Sequence, residues 1–167
     1  MLPRLIALAV TSGLAVKAWD RYRQPQPRLP EDITELVARP LLAALRPELT
    51  CLLQPLGGEY AGTRELLTSV PFAPAYGVEI GLLVDTYNRY GLDGIAQVNL
   101  GVRTHRNRPL TELASMSRQV IATLLDRCGI ADSGMGLTQF FADGDDYTPR
   151  TSTVSLADRP PMNTLRP

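Results

Sequence analysis

The residues best suited to chemistry lie together in Asn99-Leu-Gly-Val-Arg103-Thr-His105-Arg106-Asn107-Arg108-Pro109. This stretch holds the only histidine of the chain and a cluster of its arginines. Guanidinium groups offer paired donors in a planar fork, so Arg103, Arg106 and Arg108 suit a phosphate or diphosphate. His105 adds the one side chain here that titrates near neutrality and also ligates divalent metals. A solvated basic loop is the plainer alternative, since Lys17 is the only lysine and basic charge is otherwise all arginine. Placement favours the ligand reading. The apolar run Ile95-Ala-Gln-Val-Asn-Leu100 reads as a strand, and ligands of open α/β sheets sit beyond the carboxyl ends of strands.

Other candidates carry two meanings each. Glu79 lies near the start of a helical pattern, where a carboxylate can accept hydrogen bonds from sugar hydroxyls or simply complement the helix N-terminus. Glu59 follows Gly57-Gly58, which would let backbone approach a ligand closely. Asp143-Gly-Asp145-Asp146 groups three carboxylates, but without the Glu that a calcium loop requires it reads as a solvated acidic loop. Phosphate-binding glycine loops, dinucleotide fingerprints, nucleophile elbows and zinc patterns are absent from the sequence.

The elements that must position these residues follow from periodicity. Thr34 opens a helical pattern with Leu36, Val37, Leu41, Leu42 and Leu45, which Pro40 should kink or split and Pro47 ends. Cys51-Leu-Leu-Gln54 reads as a short buried strand, and Glu59 to Ser69 as a helix. A further helix is expected from about Gly77 to Tyr90, with Val78, Leu82, Leu83 and Tyr87 inward and Gly91 as its cap. The longest helix opens at Thr111-Glu112, buries Leu113, Met116, Val120, Ile121, Leu124 and Leu125, and ends at Gly129. The following Gly- and Asp-rich stretch runs to Tyr147, with one more strand near Thr151 to Leu156. Strands alternating with helices give an α/β layer.

Length, charge and cysteines bound the rest. A chain of 167 residues, 44% hydrophobic and formally uncharged, suits one soluble domain without a field drawing it to nucleic acid or anionic lipid. Cys51 and Cys128 lack metal spacing and read as buried free thiols, as in a reducing cytoplasm. Residues 1–19 contain a short apolar run, too short to span a bilayer, that reads as a buried strand or helix rather than a targeting segment. Pro25, Pro27 and Pro30 mark residues 21–32 as an extended linker.

Longer strings are similar to a known family. Tyr76-Gly-Val-Glu-Ile-Gly-Leu-Leu83, followed by the stretch from Ile95 to Leu110, resembles glucosyl-3-phosphoglycerate synthases. So do Thr34-Glu-Leu-Val-Ala-Arg-Pro-Leu-Leu42, Leu53-Gln-Pro-Leu56, Met116-Ser-Arg-Gln-Val-Ile-Ala-Thr-Leu-Leu125 and Ser152-Thr-Val-Ser-Leu156. The resemblance implies the GT-A fold and a retaining transfer of glucose from UDP-glucose to 3-phosphoglycerate, with Mg2+ (or Mn2+), for methylglucose lipopolysaccharide synthesis. It implies a metal-ligand role for His105 and a diphosphate clamp of Arg103 and Arg108. Asn107 and Thr34 would meet the phosphoglycerate, and Glu79 the glucose hydroxyls. Leu56, through its carbonyl, and Tyr76 would line the transfer site. A cytoplasmic homodimer is implied as well.

Two departures shape the expectation. No Asp-x-Asp precedes Thr34 to complete the metal site, and Glu31-Asp32 stands where the family carries Gly-Arg, placing a repelling carboxylate near the acceptor's phosphate. Residues 1–32 therefore read as a divergent or remnant N-terminal segment with a Pro-rich linker. Residues 33–167 read as the C-terminal, acceptor- and metal-side part of the glycosyltransferase, an incomplete mixed sheet with flanking helices. The expectation is an enzyme half, truncated or completed by a separately encoded N-terminal half. The alternative is a non-catalytic anion-binding or dimerisation remnant.

Overall fold

The computed structural model describes residues 4–9, 33–102 and 109–165. The Pro-rich linker and the stretch 103–108 lie outside the described residues. Three strands form a mixed sheet in the order β2-β1-β3: β1 (Arg4–Ala9), β2 (Tyr60–Ala61) and β3 (Ala96–Val102). β1 runs parallel to β2, with Leu8 opposite Tyr60, and antiparallel to β3, with Leu8 opposite Gln97. The strand reading of the N-terminal apolar run therefore holds for Arg4–Ala9, which is the central strand.

Helices α1 (Arg39–Leu45), α2 (Arg64–Ser69), α3 (Val78–Tyr90) and α4 (Leu110–Arg127) flank this sheet. The core joins Leu42, Leu49 and Leu52 to Ile80, Leu83 and Val84 of α3, Ile95 before β3, and Val120 and Leu124 of α4. Full burial of a leucine such as Leu83 or Leu124 contributes about 2 kcal/mol. Both long helices form where expected, with Leu82, Leu83, Val120 and Leu124 buried, whereas Val78, Tyr87, Leu113, Met116, Ile121 and Leu125 are half-buried. α3 ends where Gly91 takes φ 67°, a left-handed conformation that lets the Gly91 N–H close on the Tyr87 carbonyl.

Pro40 splits the first helical pattern in a specific way. Thr34–Ala38 forms a π turn, with the Arg39 N–H bonded to the Thr34 carbonyl, before the α-helical Arg39–Leu45. Proline has no N–H to continue the ladder, and the hydrogen-bond register widens by one residue just before it.

Three expectations are corrected. Cys51–Gln54 is not a strand: Pro47–Cys51 is a 3-10 turn, and an irregular loop follows. Leu52 and Gln54 are buried there, so the apolar run reported burial but not conformation. The helix expected from Glu59 begins only at Arg64, because the Thr63 hydroxyl caps it by accepting from the Leu66 N–H at 3.2 Å, and Tyr60–Ala61 pairs with β1 instead. The Gly- and Asp-rich stretch is a hairpin of β4 (Leu137–Asp143) and β5 (Asp146–Ser152), turning on Gly144-Asp145 with Gly144 at φ 65°. Both cysteines are free thiols, but neither is buried as expected: Cys51 is exposed and Cys128 half-buried.

Candidate active site

The irregular loop Leu53–Gly58 is the structural centre of the site. Loop backbone groups must find partners somewhere, and here side chains from four directions supply them. The Gln97 Oε1 of β3 accepts from the Leu53 N–H at 2.8 Å and from the Gln54 N–H at 3.1 Å. Arg39, at the start of α1, donates from Nη2 to the Leu53 carbonyl at 2.5 Å and from Nε to Glu35 at 2.7 Å. Gln54 turns back on its own loop and donates from Nε2 to the Leu56 carbonyl at 2.9 Å. Glu79, in the first turn of α3, accepts from the Gly58 N–H at 2.5 Å.

Gln54 also donates to the Thr34 hydroxyl at 3.0 Å. Three residues named from the family resemblance thus meet on one loop: Thr34 and Leu56 through Gln54, and Glu79 through Gly58. Thr34 is 3% exposed, so its hydroxyl is fixed inside the protein. Gln97 is 5% exposed, and its Nε2 has no hydrogen-bond partner among the described residues. The amide cannot flip to relieve this, because its oxygen is needed by two backbone donors.

Tyr76 lies in the 3-10 turn Ala75–Gly77, which leads directly into the helix that carries Glu79. The preceding Ala75 takes φ 48°, a left-handed conformation that costs a residue with a Cβ on the order of 1–2 kcal/mol. This kink sets Tyr76, itself exposed, over an open cleft of about 350 Å³ shared with Thr111, Glu112 and Met116 of α4 and Gln139 and Phe141 of β4. Gly77 makes the placement feasible. A methyl group there would overlap the Thr123 hydroxyl of α4, so glycine lets the start of α3 lie against α4.

Arg103, His105, Asn107 and Arg108 lie outside the described residues. Their flanks are described: β3 ends at Val102, and α4 begins at Leu110 beside Tyr76's cleft. Among the described residues, no three metal-ligating side chains come together. Asp143 and Asp146 serve the hairpin turn, accepting from the Thr148 hydroxyl at 3.1 Å and the Tyr147 N–H at 3.0 Å. The holders Gln54, Gln97 and Arg39 were missed from the sequence. Their only signal was a polar residue at an inward position of an apolar stretch.

Burial pushes the Glu79 carboxyl above its ordinary range, opposed in part by the Gly58 N–H bond. Burial also raises Asp85 despite its ion pair with Arg127. A carboxyl that holds its proton more tightly folded than unfolded loses stability as pH rises through its folded pKa. The contribution of these two groups to the unfolding free energy should therefore fall as pH rises from their ordinary values, 3.8 for Asp85 and 4.5 for Glu79, toward neutrality. Glu79→Gln keeps the acceptor for Gly58 and removes the buried charge. It should flatten this slope and be at least as stable as the parent at neutral pH. Urea unfolding at several pH values checks this, and an unchanged slope would contradict it.

No family model matches the sequence. A glucosyl-3-phosphoglycerate synthase of Mycolicibacterium smegmatis is 89% identical over 135 residues, covering 81% of this chain and 45% of that protein. The glucosyl-3-phosphoglycerate synthase of Mycobacterium tuberculosis, solved with Mn2+, uridine-diphosphate and phosphoglyceric acid, superposes with a TM-score of 0.79 at 64% identity. That superposition covers 97% of this chain and 51% of the solved one. The same enzyme solved with Mn2+, uridine-diphosphate-glucose and glycerol 3-phosphate gives a TM-score of 0.76 at 62% identity, covering 97% and 50%. The chain spans about half the length of the relatives it matches. By sequence and by fold the chain is similar to about half of the glucosyl-3-phosphoglycerate synthases, and it carries the corresponding part of their GT-A glycosyltransferase fold.

Proposed function

We propose that this chain supplies the acceptor- and metal-side part of a retaining glucosyltransferase that moves glucose from UDP-glucose to 3-phosphoglycerate. The observation that carries this reading is the convergence of Thr34, Leu56 and Glu79 on the loop Leu53–Gly58. Relatives at high identity are named for this reaction and have been solved with its nucleotide, sugar donor and acceptor.

The chemistry assigns each side chain a task. Glu79 accepts hydrogen bonds from glucose hydroxyls and so orients the sugar. The Leu56 carbonyl has a second lone pair beyond the one used by Gln54, and it faces the acceptor hydroxyl. Thr34 and Asn107 hold the phosphoglycerate, and Tyr76 closes the side of the transfer site. The acceptor oxygen bonds to the anomeric carbon as the bond to the β-phosphate breaks, and the acceptor proton leaves with the diphosphate. Arg103 and Arg108 stabilise the charge that grows on that diphosphate. A divalent cation, Mg2+ or Mn2+ held with the help of His105, supplies further positive charge there. The non-catalytic alternative gains no support from the comparisons.

Completion of the site calls for acidic metal ligands and a uridine pocket, which a nucleotide-binding half would bring. The apolar Val98 and Leu100 of β3 are exposed, as suits a sheet face that such a half would cover. Exposed Met135, Phe140 and Tyr147 near and on the hairpin support a homodimer. No helix among the described residues is long and apolar enough to cross a membrane. The substrates and the free thiols support a cytoplasmic location. The product would feed methylglucose lipopolysaccharide synthesis.

The test is direct. The chain, alone and mixed with a nucleotide-binding half, is incubated with UDP-glucose, 3-phosphoglycerate and magnesium, and glucosyl-3-phosphoglycerate is sought by mass spectrometry. Product in either mixture supports the reading. Its absence from both would overturn it.

A further inference from the structure

We propose that Gln54 is a positioning residue that sets the acceptor against the sugar, a role resting on the reading just given. One side-chain amide donates to the Thr34 hydroxyl at 3.0 Å and to the Leu56 carbonyl at 2.9 Å. These are the two groups assigned to the phosphoglycerate and to the transfer site. A planar amide presents its two protons at a fixed angle, so the two groups are held at a fixed separation by one rigid body. Gln54 is 8% exposed, which keeps competing water from the bridge.

The bridge is itself anchored. Gln97 accepts from the backbone N–H of Gln54 and of Leu53, and Arg39 donates to the Leu53 carbonyl. Gln97 belongs to β3, the strand that leads into the arginine and histidine stretch. Arg39 begins α1, directly after the π turn that contains Thr34. Acceptor-side and diphosphate-side elements therefore both converge on the backbone that carries Gln54. None of these side chains needs to touch a reacting atom. A misplacement of about 1 Å between reactants costs on the order of 100-fold in rate, which is the scale of effect such a holder commands.

Gln54→Met keeps length and volume but donates nothing. Gln54→Glu keeps the shape but can donate at most one hydrogen bond, so it cannot bridge both groups. In the mixture active for transfer, both should lower kcat for 3-phosphoglycerate by on the order of 100-fold. Their KM for UDP-glucose should stay within about threefold, because the donor does not depend on the bridge. Cleavage of UDP-glucose by water should persist, so the ratio of hydrolysis to transfer rises. A merely structural role would lower both reactions together. Equal transfer by parent and variants, or a parallel fall of hydrolysis and transfer, overturns the proposal while leaving the function standing. If no mixture transfers glucose, the function fails, and binding of 3-phosphoglycerate alone by calorimetry decides the role of Gln54. Binding by the parent that is lost in both variants supports it. Absent binding by the parent, or equal binding by all three, overturns it.

Discussion

Arg127→Leu should lower the unfolding free energy by about 3–5 kcal/mol, the scale of breaking a buried ion pair from one side. The Arg127 side chain is 9% exposed and ends α4, where it serves three carboxylates. Its Nε lies 2.9 Å from Asp85 of α3, Nη1 donates to Asp126 at 2.7 Å, and Nη2 donates to Asp158 at 2.5 Å. Asp158 precedes Arg159, whose backbone exchanges two hydrogen bonds of 2.9 Å with Phe72. One guanidinium thus ties both long helices to the C-terminal segment and to the turn that leads into Tyr76. Leucine keeps the packing of the stem and leaves Asp85 and Asp158 without the charge that holds them. Burial already raises Asp85 above its ordinary range with Arg127 in place, and losing that cation raises it further. The stability deficit should therefore be largest near neutral pH and shrink on acidification, where Asp85 takes up its proton. Urea unfolding at two pH values tests both points. A deficit below about 1 kcal/mol would show that the network is no more than a surface ion pair.

The same helices show what could be read from the sequence and what could not. α3 and α4 are legible because a long apolar stripe at helical spacing has one good burial solution, and Gly91 marks an end. Periodicity put Glu79 in the first turn of α3. It could not reveal that Ala75 bends the chain at φ 48° to present Tyr76. Nor could it show that Gly77 is required by Thr123 on a helix more than forty residues away. The loop Leu53–Gly58 was illegible for a different reason. Leu52 and Gln54 are inward and Cys51 is exposed, a pattern that a short strand and a side-chain-braced loop share. Only long-range partners separate the two, and Gln97 and Arg39 are far from the loop in sequence. The hairpin was overlooked because Asp143-Gly-Asp145-Asp146 was read by composition. Half-buried and exposed residues alternate from Leu137 to Ala142, and a strand is what that period requires.

Leu8→Pro should cost on the order of 3 kcal/mol and also disable the acceptor side of the site. In a strand the N–H and carbonyl of one residue point toward the same neighbour. Leu8 has a strand on each side, opposite Tyr60 in β2 and Gln97 in β3. Whichever side its N–H addresses, proline removes a ladder bond there and its ring crowds the partner strand. An edge position would tolerate the change, so a large effect reports that β1 is central in solution. The consequence reaches the candidate site through Gln97. That residue holds the Leu53 and Gln54 N–H groups and needs β3 in register with β1 to do so. The variant should therefore lose the proposed 3-phosphoglycerate binding even below its melting temperature, where circular dichroism still shows the α3 and α4 helices. Leu8→Val, which keeps the N–H and favours extended backbone, should retain both stability and binding. If Leu8→Pro unfolds like the parent, β1 is not part of the sheet that positions the site, and Gln97 must be held by β3 alone.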